Sequence, residues 1–203
     1  MEAVRAHVSA LPLGEPFTSS DLLPVGTRAS VDQALSRLVR AGAIERITRG
    51  VFARPRTNPY VGKVPPAPEK VARAVARSSE SVMEVHGAEA AREFGLTTQV
   101  PMRPVYLTSG RSRIVHAGGV EIQMRPVADS RLLLAGRPAG RAFAALMYLG
   151  KDEVTPGTIE AIKRRLPPQE FEALLSAASS MPSWLSDAFY RYRTHGGGDS
   201  VAA

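Results

Sequence analysis

The chain has 203 residues, 44% apolar and 22% charged, with no cysteine. That balance excludes a wholly disordered chain or a fibrous repeat. The missing thiols exclude disulfides, thiolate metal sites and a cysteine nucleophile. Lys+Arg is 26 against 19 Asp+Glu, a net charge of +7, so an acidic partner such as nucleic acid is the first one to test for.

The charge is concentrated. Residues 27–56 hold Arg28, Arg37, Arg40, Arg46, Arg49, Arg54 and Arg56 against Asp32 and Glu45, which places +5 in that window. Only Lys63, Lys70, Lys151 and Lys163 are lysines. A GC-rich gene explains such a skew, and so does the fit of arginine to phosphates and guanine edges. A local basic cluster is the electrostatic footprint of a nucleic-acid binder.

In chain order, residues 2–11 suggest a short helix with Val4, Val8 and Leu11 on one side. Thr18 and Asp21 then stand in capping-box spacing, and Phe17 can pack on Leu22 as a hydrophobic staple. Pro24 is expected to end that second short helix. A third helix is expected from Arg28 to Ala41, capped by Thr27 and closed by Gly42 in a left-handed exit. Val31, Ala34, Leu35 and Leu38 make its buried stripe. Arg28, Ser30, Gln33, Arg37 and Arg40 are left on the opposite face. Ile44 and Ile47 before Gly50, with Val51 and Phe52 after it, read as a β-hairpin with Arg46 on its strand and Arg49 at its tip.

Three short helices followed by a basic hairpin is the winged helix-turn-helix order. In that arrangement the third helix enters the major groove and the wing lies on the backbone. The candidate DNA-binding residues are therefore Arg28, Ser30, Gln33, Arg37, Arg40, Arg46 and Arg49. Winged modules also bind protein or RNA, and that alternative stays open.

Between about 54 and 68, five prolines bar a helix or a central strand. The expected domains are a winged helix over 1–57, a proline-rich linker over 58–68, a C-terminal domain over 69–195 and a disordered tail over 196–203. In the third of these, helices are expected at 69–79 and 87–94, then a strand at 104–108. A hairpin of Arg113–His116 with Val120–Met124 follows, turning on Gly118 and Gly119. Helices follow at about 138–149, 156–165, 168–179 and 183–193. The fold class is α+β: a winged helix plus a larger α+β domain with a small antiparallel sheet and several helices.

Three stretches carry a family resemblance. They are Ser30 to Phe52, Glu93-Phe-Gly-Leu-Thr-Thr-Gln-Val-Pro101 with Pro104-Val-Tyr-Leu-Thr-Ser-Gly110, and Leu134-Ala-Gly-Arg-Pro-Ala-Gly140 ahead of Ala142–Leu149. In that order they resemble the AbiEi-family antitoxins of type IV (AbiE-type) toxin–antitoxin systems, in an actinobacterial-like form. The resemblance implies autorepression of an operon at inverted repeats in the operator DNA. It also implies neutralisation of a cognate nucleotidyltransferase-like toxin. It supplies no residue motif for toxin binding, so no toxin-binding residues are assigned.

Other chemistry is weaker. His7, His86, His116 and His195 show no metal-ligand spacing. Glu84-Val-His86 and Glu121-Ile-Gln123 lack the clustered carboxylates and lysine of a metal-dependent nuclease. Gly136-Arg-Pro-Ala-Gly140 lacks the Lys-Ser/Thr pair of a phosphate loop, and Pro138 reads as an ordinary first helical residue. No Gly-x-Ser-x-Gly elbow occurs. Trp184, Phe189, Tyr190 and Tyr192 are either core of a last helix or an anchor for a partner.

No enzyme activity, catalytic residue, metal or cofactor is expected. No apolar run reaches the roughly 18 residues of a membrane span, and the start lacks a signal-sequence core. A cytoplasmic protein without membrane partners is expected. The rival reading is a winged-helix transcriptional regulator whose second domain senses a ligand or dimerises, with no toxin partner.

Overall fold

The structure is a computed structural model describing residues 2–195, the His195 side chain excepted. The tail expected at 196–203 lies outside the described residues. In chain order the first elements are α1 (Glu2–Ala10), β1 (Pro16–Thr18), a 3₁₀ turn (Ser20–Val25), α2 (Arg28–Arg40), β2 (Glu45–Thr48) and β3 (Val51–Ala53). Then come β4 (Thr57–Asn58), β5 (Gly62–Lys63), α3 (Pro68–Ser78), β6 (Met83–Val85), α4 (Gly87–Glu93) and β7 (Val105–Thr108). The rest are β8 (Arg113–Ala117), β9 (Val120–Pro126), a 3₁₀ turn (Asp129–Leu132), α5 (Pro138–Leu149), α6 (Pro156–Lys163), α7 (Pro168–Ser176), a 3₁₀ turn (Ala178–Ser180) and α8 (Ser183–His195). The protein is mixed α+β, with sheets ordered β1-β3-β2, β4-β5 and β6-β7-β9-β8.

The chain forms two compact units. Among the described residues, the first is 2–81 with Arg103–Tyr106 and Gly110–Arg125; the second is Val82–Met102 with Leu107–Ser109 and 126–195. The border therefore does not fall on the proline-rich stretch 58–68. Helix α3 and the β8–β9 hairpin, expected beyond that stretch, belong to the first unit.

In the first unit, α1 buries Val4 and Val8, one turn apart, against Phe17, Leu22, Val31 and Leu35. The Thr18–Asp21 box closes reciprocally: Thr18 N donates to Asp21 Oδ2 at 2.8 Å, and Asp21 N donates to Thr18 Oγ1 at 3.3 Å. It opens a 3₁₀ turn rather than an α-helix, and Pro24 lies within that turn rather than after it. Proline has no amide to donate, so a regular helix cannot be continued there. Helix α2 is capped as its sequence suggests. Thr27 Oγ1 accepts from Ser30 N at 3.4 Å, and Gly42 leaves the helix with φ +69.

β2 and β3 pair antiparallel around the Arg49-Gly50 turn, with an irregularity between Arg46 and Thr48. β1 pairs on the other edge of β3, Phe17 opposite Phe52. The proline-rich stretch is not a plain extended linker. It folds into the β4–β5 hairpin, where Asn58 Oδ1 accepts from Tyr60 N at 2.9 Å and from Val61 N at 3.3 Å. Lys63 pairs with Glu45 at 2.8 Å. Helix α3 turns Val71, Ala72 and Val75 inward and packs on β1 and β3. The β8–β9 hairpin pairs from Arg113–Met124 to Ala117–Val120. Gly118 is required in its turn: φ is +58, and the Pro65 ring occupies the space a Cβ would need.

The second unit is built around α5, whose Ala142, Phe143, Ala145 and Leu146 are buried. α4 and α6 to α8 add Ala90, Ile162, Phe171, Leu174, Leu185 and Phe189 to buried positions. Glu84, on β6, is 1% exposed. Its carboxylate accepts from Val85 N at 2.8 Å and Gly136 N at 2.9 Å, and Arg141 Nε lies 3.7 Å away. Arg141 also pairs with Glu93 at 3.1 Å. Glu170 closes the start of α5: it accepts from Ala139 N at 3.1 Å and Arg137 Nη2 at 2.9 Å. The Gly136–Gly140 segment is thus a scaffold for two carboxylates. An anion at this helix start would meet Glu170 already in place.

The terminal aromatics divide. Phe189 is buried, Trp184 half-buried and Tyr190 exposed. The Tyr192 hydroxyl donates to Glu160 at 2.6 Å, which holds that carboxyl below its usual range.

Candidate nucleic-acid interface

The first unit carries a cleft of about 720 Å³. Arg28, Arg46, Arg49 and Arg113 all line it, with Asp32 as the single acidic residue in its wall. Arg28 comes from the first turn of α2 and is paired with Asp32 at 3.1 Å. Arg46 comes from β2, its guanidinium 5.4 Å from the Phe52 ring centroid, a cation–π contact that orients it without neutralising it. Arg49 sits in the tight turn beside Gly50, whose φ is +77. Arg113 starts β8, which lies beside β2.

The remaining sequence candidates are on α2, outside the cleft lining. Gln33, Arg37 and Arg40 are exposed. Arg40 Nη2 donates to Ser36 Oγ at 3.3 Å. Arg37 and Gln33 make no side-chain hydrogen bond or ion pair among the described residues. Ser30 is engaged differently: its hydroxyl donates to Thr27 O at 2.9 Å, within the helix's own first turn. Arg28 and Arg37 are about two and a half turns apart, so they leave α2 on opposite sides. The predicted residues thus fall into two groups, Arg28, Arg46 and Arg49 around the cleft and Gln33, Arg37 and Arg40 along the helix.

Arg113 was not among the residues singled out by sequence. Arg54 belongs to the same basic window but serves the fold. Its Nη1 donates to Ser9 O and to Leu11 O, each at 2.6 Å, at the C-terminal end of α1. Cationic donors are favourable where helix carbonyls lack partners.

A model of a family of unknown function, DUF6088, matches residues 4–174. The chain belongs to the DUF6088 family. The match to DUF6088 runs from α1 into α7 and takes in both groups of arginines. A search of curated proteins finds no match. Among solved structures, this DUF6088 chain is similar to the crystal structure of the RV2827C protein from Mycobacterium tuberculosis. That similarity has 19% identity and a TM-score of 0.41, and covers 95% of this chain and 75% of that chain.

No three His, Asp or Glu side chains converge among the described residues. His86 caps α4, its Nδ1 accepting from Ala88 N at 3.3 Å. Glu121 pairs with Arg103 at 2.8 Å and lies 3.8 Å from His116. No helix among the described residues is long and apolar enough to cross a membrane.

Proposed function

We propose that this DUF6088 protein is a cytoplasmic, sequence-specific DNA-binding repressor of the winged helix-turn-helix kind, and that its second unit works as an antitoxin against a nucleotidyltransferase-like toxin. One observation carries the DNA-binding part. Arg37 and Arg49 are exposed and without ionic partners among the described residues, on a helix and an adjoining hairpin that also bear Arg28, Arg40 and Arg46. Charges held this way, on rigid elements and with few internal partners, suit phosphates.

The element order supports the docking mode. α1, the Ser20–Val25 turn and α2 precede the β2–β3 hairpin, as in a winged module whose third helix enters the major groove. Along α2, Gln33 lies between the sides occupied by Arg28 and Arg37. The middle of the face suits base edges and its margins suit the two backbones. Glutamine pairs bidentately with adenine N6 and N7. The resemblance to AbiEi-family antitoxins supports an inverted repeat, and the small charge of one module suits two copies of the chain on adjacent half-sites.

The antitoxin part is supported by the resemblance to AbiEi-family antitoxins in the order of three stretches. It is also supported by apolar side chains exposed in the second unit, Val100 at 74% and Met102 at 100%, which suit a protein partner.

Two assays test the proposal. A gel-shift titration with the region upstream of the gene should show binding that is tighter than to unrelated duplex. Co-expression of the neighbouring gene should arrest growth, and this chain should relieve the arrest. A neighbour that is harmless, or an arrest that persists, removes the antitoxin function and leaves a DNA-binding regulator.

A further inference from the structure

We infer that Arg113 completes a phosphate-binding clamp with Arg46 and Arg49, so that β8 grips the DNA backbone together with the β2–β3 hairpin. The inference rests on the DNA-binding reading of α2 and β2–β3, and extends the binding surface to a strand about sixty residues further along the chain.

Three observations point to it. First, Arg113 lines the same cleft as Arg46 and Arg49, and β8 lies beside β2 in one compact unit. Second, the side chains of Arg46, Arg49 and Arg113 form no hydrogen bond or ion pair among the described residues. The one carboxylate in the wall, Asp32, is paired with Arg28 at 3.1 Å. Three guanidinium groups around one cleft repel each other unless an anion sits among them. Third, the wall also offers the hydroxyls of Ser19, Ser20 and Thr48, neutral donors of the kind that contact phosphate oxygens.

The chemistry selected is phosphate, held by forked donors rather than by base-edge pairing. A duplex backbone and a free phosphate compound both present it. The backbone is favoured because the wall includes Arg28 of α2 and the Arg49 turn, the elements assigned to DNA.

The test is fluorescence anisotropy of the full chain with two labelled duplexes, one from upstream of its gene and one of mixed sequence, over a range of salt. Each phosphate contact contributes about 0.9 to the slope of log K against log salt. Arg113→Ala should therefore flatten that slope by about 0.9. At roughly 0.1 M salt it should weaken both duplexes alike, by about eightfold. Arg113→Lys keeps the charge and should keep the salt slope, with part of the affinity lost along with the fork, and neither variant should melt earlier, because Arg113 is exposed.

Unchanged affinity and slope for Arg113→Ala, while Arg37→Ala still weakens binding, would overturn the clamp and leave the DNA reading standing. A wild-type chain that binds neither duplex would overturn both. Saturable binding of pyrophosphate that Arg113→Ala abolishes, with unaltered DNA isotherms, would reassign the cleft to a free phosphate ligand. A loss for Arg113→Lys as large as for Arg113→Ala, with an equal fall in melting temperature, would make Arg113 a structural residue.

Discussion

Arg54 and Arg37 share one basic window, yet the Arg54 side chain is bonded to the end of α1 while that of Arg37 is proposed to contact DNA, and replacing each by alanine separates the two. Arg54 Nη1 donates to Ser9 O and Leu11 O, each at 2.6 Å. Hydrogen bonds from a charged donor are worth about 1.5–3 kcal/mol each. One of these two is exposed, so solvent reduces its share. Arg54→Ala should therefore cost about 2 kcal/mol in total. For a chain of this size about 2–4 °C is lost per kcal/mol, so the melting temperature should fall by roughly 4–8 °C. DNA affinity below the melting range, and its salt slope, should stay as in wild type. Arg37→Ala should do the reverse, leaving the melting temperature in place and weakening DNA binding. Scanning calorimetry and anisotropy on both variants give the crossed result. If Arg54→Ala keeps its melting temperature and loses a phosphate contact's worth of salt slope, the assignment of Arg54 to the α1 terminus is wrong.

Three further perturbations follow from the same geometry. Gln33→Ala should relax discrimination at a single base pair by about 1–3 kcal/mol, read by competition among operator variants; uniform loss over all positions would place Gln33 on the backbone instead. Glu84→Ala removes the acceptor of Val85 N and Gly136 N and the buried partner of Arg141. Breaking a buried pair from one side costs about 3–5 kcal/mol, measurable by urea denaturation, and a loss below about 1 kcal/mol would contradict the buried network. Glu170 is held below the usual carboxyl range by the Arg137 guanidinium and then by the Ala139 amide. A depressed carboxyl contributes stability that is fully present above the unfolded pKa of about 4.3 and is lost as pH falls through the lower folded value. Glu170→Gln should therefore melt below wild type at neutral pH, with the gap closing in acid. A gap unchanged at low pH would show that shape, not charge, sets the effect.

Elements long enough to show a period were legible. Helix α5 begins and ends at the residues expected, 138 and 149, because Pro138 suits a first helical position, the run Ala142–Leu149 is apolar and Gly150 follows it. The β8–β9 hairpin was announced by alternation on both sides of Gly118-Gly119. Short strands were not legible. β1 has three residues, too few for a period of two to register, and Phe17 was explained equally well as a staple on Leu22. β6 likewise has three residues, Met83–Val85, all buried, so no alternation marks it. The proline stretch misled for a different reason. Proline bars a regular helix, but it does not bar a two-residue pairing around an asparagine turn such as Asn58 makes.

The site shows why a charge count is a coarse guide to function. Seven arginines in thirty residues look equivalent in the sequence, and no periodicity tells a helix-end cap from a phosphate contact. Arg54 becomes structural only because the carbonyls at the end of α1 come within reach of it across some forty residues of chain. Arg113 stood outside the basic window, beside Ile114 and Val115 in a segment read as a plain hairpin. Tertiary packing moves one arginine out of the candidate surface and brings another into it. The proposed binding surface is thus a property of the first compact unit, not of its first fifty-seven residues. On this reasoning a fragment ending at the proline stretch keeps Arg37 and Gln33, and with Gln33 the proposed base discrimination. The same fragment loses Arg113 and also α3, which covers β1 and β3. Its affinity should fall by more than one phosphate contact, because the platform that holds Arg46 and Arg49 is loosened along with it.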